Sequence, residues 1–225
     1  RKLKMIKQVQ TPASGIRSMD SKHKSLTVLR CKLVIIGDSC VGKSSLLQVF
    51  QSGGTTYPKN YMMTIGADFN VKQVPIPDTN IVVELYIFDC AGQPIFNQLE
   101  MNSKYYENAA AVMVVYDIGN QETLQSTTKW LTGLKSAVSN PSDLIGVLVG
   151  NKSDYRDGSV DSRAEVVKED AQRFSKDLGL AYFEASAASN IGVTEPFLHV
   201  ATEFYKKYED TLRKADKITR SMKHE

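Results

Sequence analysis

The sequence GDSCVGKSSLL, residues 37–47, separates a continuous apolar run from a segment whose apolar side chains have helical spacing. Gly37 and Gly42 precede Lys43 and Ser44 at the offsets of a phosphate-binding loop, the P-loop. Glycines let backbone N–H groups turn toward a phosphate, and the start of a helix adds positive potential there. The alternative is a glycine-containing turn without a ligand. The strand before the loop and the helix after it favour a nucleotide site.

The segments around this loop alternate between strands and helices. Apolar runs predict six strands, in the segments 26–37, 67–77, 80–89, 110–117, 145–151 and 181–186. Helical spacing predicts five helices, one from Lys43 to Gly53-Gly54 and others over about 95–107, 122–138, 162–178 and 194–208. DTN at 78–80 predicts an antiparallel hairpin, and Pro75 and Pro77 place its first strand at an edge. We therefore predict an α/β fold: a six-stranded, mostly parallel sheet with one antiparallel edge strand and helices on both faces.

Charge is distributed unevenly along the 225 residues. Residues 1–30 carry a net charge of +7, residues 206–225 carry +3, and the segment between them carries −7. We predict a flexible basic arm over 1–25, one domain over 26–208 and a basic tail over 209–225. Basic ends are typical of nucleic-acid or anionic-membrane binding, but neither end interleaves aromatic residues with its charges. We expect solvated ends and no nucleic-acid partner.

The sequence contains no apolar stretch of membrane-spanning length and no secretory signal pattern. Its three cysteines, Cys31, Cys40 and Cys90, have no metal-ligand spacing. An odd, small number of cysteines is typical of reduced thiols rather than a disulfide framework. We therefore expect a soluble, intracellular protein.

Asp89 and Gly92 follow the third apolar run, where side chains at the carboxyl ends of parallel strands meet a ligand. An aspartate there can hold Mg²⁺, and the Gly92 N–H can bind a terminal phosphate. Thr64, which precedes the edge strand, can bind Mg²⁺ and that phosphate while the phosphate is present, as in an order–disorder switch. From spacing alone, a threonine that merely begins a strand is the simpler interpretation of Thr64.

Asn151, Lys152 and Asp154 follow the fifth strand and predict a purine site. Guanine presents two donors, N1–H and the 2-amino group, that suit a carboxylate, whereas adenine has an acceptor at N1. A site with paired buried polar contacts of this kind can favour one base over another by a factor of about 10⁴–10⁵. We expect Asn151 to brace the site and the stem of Lys152 to cover the base. The alternative is a charged turn at the end of a strand. Backbone N–H groups within EASAA, residues 184–188, are further candidates for the guanine oxygen.

Together these motifs resemble the Ras superfamily of small GTPases over about residues 31–208, and GDSCVGKSSLL, TIGADF, DCAGQ and GNKSD are most similar to its Rab branch. The resemblance implies a P-loop small-GTPase fold that binds GTP or GDP with Mg²⁺. The nucleotide-binding residues that it implies are Ser39, Cys40, Val41, Gly42, Lys43, Ser44, Ser45, Tyr57, Thr64, Gly92, Asn151, Lys152, Asp154, Ser186, Ala187 and Ala188. It also implies metal binding by Ser44, Thr64 and Asp89, and catalytic roles for Gln93, Lys43 and Thr64.

Residues 74–92, 146–154 and 195–210 are similar to a non-prenylated, Rab-like branch that supplies the GTPase subunit of intraflagellar transport. This resemblance implies a heterodimer with a β-sandwich partner subunit, intraflagellar transport protein twenty-five, and contacts with other subunits of the B complex. It implies a cytoplasmic protein that is found in a cilium or flagellum and at its base. The sequence ends in RSMKHE without a cysteine, so we expect no direct lipid anchor.

Gln93 stands where a side chain can orient the attacking water, and the loop 51–69 contains no arginine. We therefore expect slow intrinsic GTP hydrolysis, because such sites depend on an arginine for most of their rate. The alternative function is a constitutive structural subunit that uses GTP or GDP only for stability. We expect the last helix and the tail to bind the protein partner, although core packing explains Phe197 and Phe204 equally well.

Overall fold

The computed structural model describes residues 26–58, 60, 62–93, 104–156 and 163–221. The strands are β1 (Thr27–Ile36), β2 (Ala67–Pro75), β3 (Ile81–Cys90), β4 (Ala111–Asp117), β5 (Ile145–Asn151) and β6 (Ala181–Glu184). The helices are α1 (Lys43–Gln51), α2 (Gln121–Ala137), α3 (Lys168–Asp177) and α4 (Glu195–Ser221). Short 3-10 turns lie at Pro141–Asp143 and Ser153–Arg156. The predicted arm over 1–25 lies outside the described residues.

The six strands form one sheet in the order β2-β3-β1-β4-β5-β6. All neighbouring strands are parallel except β2, which pairs antiparallel with β3. Pro75, which cannot donate a ladder hydrogen bond, ends the edge strand β2, and Asp78 turns the hairpin with a positive φ of 59°. The predicted fold class is therefore confirmed.

Two apolar layers cover the faces of the sheet, because successive side chains of a strand point to opposite faces. Leu33 and Ile35 of β1 belong to a layer with side chains of α1 and α4, whereas Val34 and Ile36 belong to a layer with side chains of α2 and α3. This double burial explains why β1 has a continuous apolar run. The chain leaves β1 into the loop at 37–42, which leads to α1.

One predicted helix begins at the wrong place. We predicted a helix over 162–178, but among the described residues α3 begins at Lys168. The backbone N–H groups of Glu165 and Val166 both donate to the carbonyl of Ile118, at 3.1 Å each, and Val166 is buried. These tertiary bonds hold the segment before α3 against the loop after β4 in place of a helical turn. Of the helix predicted over 95–107, residues 95–103 lie outside the described residues, and 104–106 are helical.

The last helix is longer than predicted. We placed its end near Tyr208, but α4 continues to Ser221. After Pro196 its sequence contains no glycine or proline, and Glu203–Lys206 and Glu209–Arg213 form ion pairs one turn apart. The segment predicted as a tail is therefore helical over 209–221, and its side chains from Asp210 to Thr219 are exposed.

Candidate nucleotide-binding site

A cleft of about 670 Å³ opens at the carboxyl ends of the strands, beside the P-loop. β1 lies between β3 and β4, so the connections from β1 and its neighbours diverge at this point, which is where open α/β sheets bind ligands. The predicted site residues that line the cleft are Ser39, Cys40, Gly42, Lys43, Ser44, Ser45, Tyr57, Thr64, Gly92, Gln93, Asn151, Lys152, Asp154, Ala187 and Ala188. Val41, Asp89 and Ser186 do not line the cleft, and all three are buried behind it.

The P-loop wraps around the Lys43 ammonium group. Lys43 Nζ donates to the carbonyl of Gly37 at 2.9 Å and to the carbonyl of Asp38 at 2.8 Å, and the residue is only 6% exposed. Burial lowers the pKa of Lys43, while the nearby Asp89 carboxylate opposes that shift. The lysine therefore lies at the floor of the cleft, where it can meet phosphate oxygens.

Gly42 and Gly92 lie too close to their neighbours to carry a side chain. Gly42 caps α1 with φ 95°, and a Cβ there would lie 2.2 Å from Asn151 Nδ2. A Cβ on Gly92 would lie 2.5 Å from Lys43 Nζ. The Gly92 backbone is thus held against the lysine, which suits the predicted phosphate contact of its N–H group.

Three oxygen atoms form a candidate cation site between α1, the loop before β2 and the end of β3. Ser44 Oγ donates to Asp89 Oδ2 at 2.5 Å and lies 3.1 Å from Thr64 Oγ1. A serine hydroxyl has one proton, so Thr64 is the donor in that second bond. Asp89 Oδ1 is buried and has no hydrogen-bond partner within the described part of the chain. Hydroxyl and carboxylate oxygens suit Mg²⁺, so these residues fit the predicted metal.

Burial also affects the acid at this site. Burial raises the pKa of Asp89, and the negative charge of Asp68 raises it further. The hydrogen bond from Ser44 and the positive charge of Lys43 oppose that rise. Asp68 lies opposite Asp89 in the β2–β3 ladder. A buried carboxylate with an orphaned oxygen stabilises a bound cation more strongly than an exposed one would.

Asn151 joins the P-loop to the loop after β6. Its Nδ2 donates to the carbonyl of Val41 at 2.8 Å, and its Oδ1 accepts from the N–H of Ala187 at 3.2 Å. Asn151 is 2% exposed, so both bonds are shielded from water. This is the bracing contact that the sequence predicts. It also means that the Ala187 N–H binds Asn151 and is not directed at the cleft.

Asp154 is held by the same loop. Ser186 Oγ donates to Asp154 Oδ1 at 2.5 Å, and the N–H of Ser189 donates to Ser186 Oγ at 3.0 Å. The N–H of Ser186 itself donates to the carbonyl of Ile191 at 2.8 Å. Of the predicted N–H donors at 186–188, the described structure leaves only Ala188 without a protein acceptor. Ser186 therefore orients Asp154 and does not face the cleft.

Asp117 is the main site residue that sequence reasoning missed. It ends β4, and its Oδ2 accepts from Lys152 Nζ at 2.5 Å while its Oδ1 accepts from the N–H of Gly119 at 2.9 Å. Lys152 has a positive φ of 67°. The ion pair holds the lysine stem along the cleft wall. The sequence does indicate Asp117 as a site residue, because it ends an apolar run in the same way as Asp89 does.

Tyr57 and Gln93 lie at the rim of the cleft. Tyr57 is exposed, and so are Met62 and Met63 farther along the same loop. Gln93 is the last described residue before 94–103. Both side chains are placed to reach a ligand from the open side of the cleft.

Comparisons with known proteins show which family the chain resembles. The model of the Ras family matches residues 32–206. The chain is 41% identical over 182 residues to the Intraflagellar transport protein 27 homolog of Mus musculus, covering 81% of this chain and 94% of that protein. Its identity to the Intraflagellar transport protein 27 homolog of Homo sapiens is 38% over 182 residues, with coverage of 81% and 94%. For the protein of that name from Trypanosoma brucei brucei it is 34% over 181 residues, with coverage of 80% and 93%.

Two features are absent from the described ranges. No described helix is long and apolar enough to cross a membrane. The same ranges contain no cluster of three or more His, Cys, Asp or Glu residues that could hold a metal ion. The candidate cation site of Ser44, Thr64 and Asp89 is of a different kind, because hydroxyl groups supply two of its oxygens.

Proposed function

The chain belongs to the Ras family, and from that premise we propose that it binds guanine nucleotides and hydrolyses GTP slowly. One observation carries the proposal. The Lys43 loop, Ser44 and Thr64 of the cation site, and Asp154 all line one cleft, and Asp89 lies directly behind Ser44. Together they fit the phosphates, the metal and the purine of a single nucleotide. We place the GTPase domain at 26–208 and the basic tail at 209–225.

Each group has a distinct role in this proposal. Lys43 and the P-loop amides bind the phosphates, and Asp154 selects guanine. Ser44, Thr64 and Asp89 would hold Mg²⁺, which neutralises charge on the β- and γ-phosphates. Gln93 orients the attacking water, while Thr64 and the Gly92 N–H bind the terminal phosphate.

Nucleotide binding is tested with Lys43→Ala and Asp154→Ala proteins. We expect each to bind fluorescent GDP on the order of 100-fold more weakly, because hydrogen bonds to charged groups contribute about 1.5–3 kcal/mol each. Lys129→Ala, an exposed lysine on α2, is the matched control and should bind as the parent does. Parent-like affinity in both site variants would overturn the proposed site.

Slow hydrolysis is tested in single-turnover assays with purified protein. The segment 51–69 supplies no arginine, and related GTPases without one turn over at about 10⁻⁴ s⁻¹. We expect phosphate release near that rate, and a further loss in Gln93→Leu. Phosphate release no faster than from GTP in buffer alone, with the same rate in the parent and in Gln93→Leu, would count against hydrolysis by this chain.

The relatives' names support a second part of the proposal, that the chain is a subunit of the intraflagellar transport machinery. We propose that it belongs to the B complex in a cilium or flagellum. We propose a heterodimer with the β-sandwich subunit intraflagellar transport protein twenty-five. The exposed end of α4 is the surface that we assign to protein contacts. Co-purification of the chain with that subunit at equal stoichiometry tests the heterodimer, and separate elution at micromolar concentration would contradict it.

A further inference from the structure

Four polar side chains form a continuous hydrogen-bonded chain across β4, β5 and β6, next to the purine turn. We call Tyr116, Tyr182, Glu184 and Arg156 the tyrosine–arginine chain. Tyr116 Oη lies 3.0 Å from Tyr182 Oη, and Tyr182 donates to Glu184 Oε1 at 2.6 Å. Tyr182 has one hydroxyl proton, so Tyr116 must be the donor in the bond between them. Burial raises the pKa of Tyr116 to about 12, which keeps that proton in place at neutral pH.

The missing side chain of Gly150 makes this crossing possible. Tyr116 of β4 pairs with Gly150 of β5, which in turn pairs with Glu184 of β6. A Cβ on Gly150 would lie 2.6 Å from Tyr116 Oη. The ring of Tyr116 therefore passes over β5 at Gly150 and reaches Tyr182 on β6.

The far end of the chain is a forked ion pair. Arg156 Nη2 donates to Glu184 Oε1 at 2.9 Å, and Arg156 Nε lies 3.2 Å from each carboxylate oxygen. The two side chains are only 25% and 12% exposed. A forked, largely buried pair of this kind fixes orientation as well as distance.

Successive residues at the end of β6 hold the turn Ser153–Arg156 at three points. Glu184 binds Arg156, the carbonyl of Ala185 accepts from the N–H of Ser153 at 3.0 Å, and Ser186 donates to Asp154. Asp154 lies between the other two points. Its carboxylate position therefore depends on both ends of the turn, one held by a backbone bond and the other by the Arg156–Glu184 pair.

We propose that Arg156 and Glu184 are positioning residues that set purine selectivity by holding the carboxylate of Asp154 where it meets both guanine donors. This rests on the proposed function, in which Asp154 binds the base. Guanine offers the carboxylate two N–H donors, whereas hypoxanthine lacks the 2-amino group and offers one. If the Asp154 carboxylate is displaced, it no longer accepts a hydrogen bond from the 2-amino group of guanine. GDP and IDP then bind with similar affinity.

The test compares GDP and IDP affinities of the parent protein, Arg156→Met, and the double variant Arg156→Met/Glu184→Gln. The double variant removes both charges and so leaves no unpaired buried carboxylate, which protects folding. We expect the ratio of GDP to IDP affinity to fall on the order of tenfold in both variants. Arg173→Met, which breaks the exposed Asp170–Arg173 pair, is the matched control and should keep the parent ratio.

A loss of thermal stability with an unchanged affinity ratio in the double variant would overturn the proposal, since a purely structural pair affects both nucleotides equally. Tyr182→Phe removes the hydroxyl that donates to Glu184 and accepts from Tyr116, but it keeps the Arg156–Glu184 pair, so it should lower the ratio by a smaller factor. If the parent itself does not prefer GDP to IDP, or if Asp154→Ala leaves its preference unchanged, the proposed base recognition fails first. If the parent preference depends on Asp154 but not on Arg156 and Glu184, only this inference fails.

Discussion

Gly150 and Gly133 show how the surroundings decide what a single residue does. A Cβ on Gly150 would meet Tyr116 Oη at 2.6 Å and Ile118 Cγ1 at 3.1 Å, whereas nothing lies within 4 Å of a Cβ on Gly133 in α2. We expect Gly150→Ala to lower the free energy of unfolding by about 1–3 kcal/mol through overpacking. Gly133→Ala should raise it by about 0.5–1 kcal/mol, because alanine favours the helix. Urea unfolding of both variants checks the contrast, and equal effects would contradict this account of the core.

The three cysteines should differ sharply in reactivity. Cys31 and Cys90 are buried, and burial raises the pKa of each thiol to about 12. At pH 8 both remain protonated and lack the thiolate that attacks a thiol reagent. Cys40 is exposed in the cleft.

We therefore expect native protein to label rapidly at Cys40 alone, more slowly with GDP bound, and at all three cysteines in guanidinium chloride. Mass spectrometry of the labelled peptides identifies the sites. Rapid labelling of Cys31 or Cys90 in native protein would contradict their burial.

At the scale of elements, the two halves of α4 have different roles. Phe197 is fully buried and stacks on Phe50 with ring centroids 3.9 Å apart, while Phe204 packs against the same layer and is partly buried. Beyond Asp210 the helix is exposed, with Leu212 at 47% and Ile218 at 56%. The first half belongs to the core, and the second half is available for a partner.

Truncation after Tyr208 should therefore change the free energy of unfolding by less than about 1 kcal/mol, since the deleted side chains bury little surface. Phe197→Ala in the same helix should cost about 3–5 kcal/mol. The proposed heterodimer should weaken in the truncated protein, as measured by titration calorimetry. Unchanged partner affinity after truncation would remove the exposed half of α4 from the proposed interface.

At the scale of the whole molecule, the nucleotide site connects distant parts of the chain. Asn151 of β5 binds Val41 and Ala187, and Lys152 binds Asp117 of β4. A ligand in this cleft therefore contacts segments from β1 to the end of β6. Its binding energy is added to the stability of the entire domain.

We expect GDP at about 1,000 times its dissociation constant to add about 4 kcal/mol of stability, which corresponds to a rise in Tm of roughly 10 °C. ADP at the same concentration should have little effect, because Asp154 accepts hydrogen bonds and adenine presents an acceptor at N1. Calorimetry of the full chain with each nucleotide measures the difference. Equal stabilisation by the two nucleotides would contradict guanine selection.

A switch and a constitutive structural subunit differ in how partner binding responds to the nucleotide. A ligand shifts only those equilibria whose states it binds differently. For a switch through Thr64, we expect partner affinity to differ at least about fivefold between the GDP form and a non-hydrolysable GTP form. Equal affinities, measured at matched nucleotide saturation, would favour the structural subunit.

Local patterns in the sequence determined most of the secondary structure. The strands β4 and β5 and the edge hairpin follow from runs of apolar residues and from turn chemistry, which depend on near neighbours alone. The phosphate and purine motifs are equally local, because each is a short stretch at the end of one strand. The start of α3 was mispredicted because hydrogen bonds to Ile118, far away in the sequence, replace its first turn.

The sequence alone therefore determined the order of strands and helices and the residue types at each strand end. Only the tertiary structure decided how those ends join: Asn151 with Val41, which is 110 residues away, Lys152 with Asp117, and Arg156 with Glu184. The physical reason is that a pattern of side chains records which face is buried. The partner of a buried polar group is chosen only when the strands assemble and every such group must find a hydrogen bond.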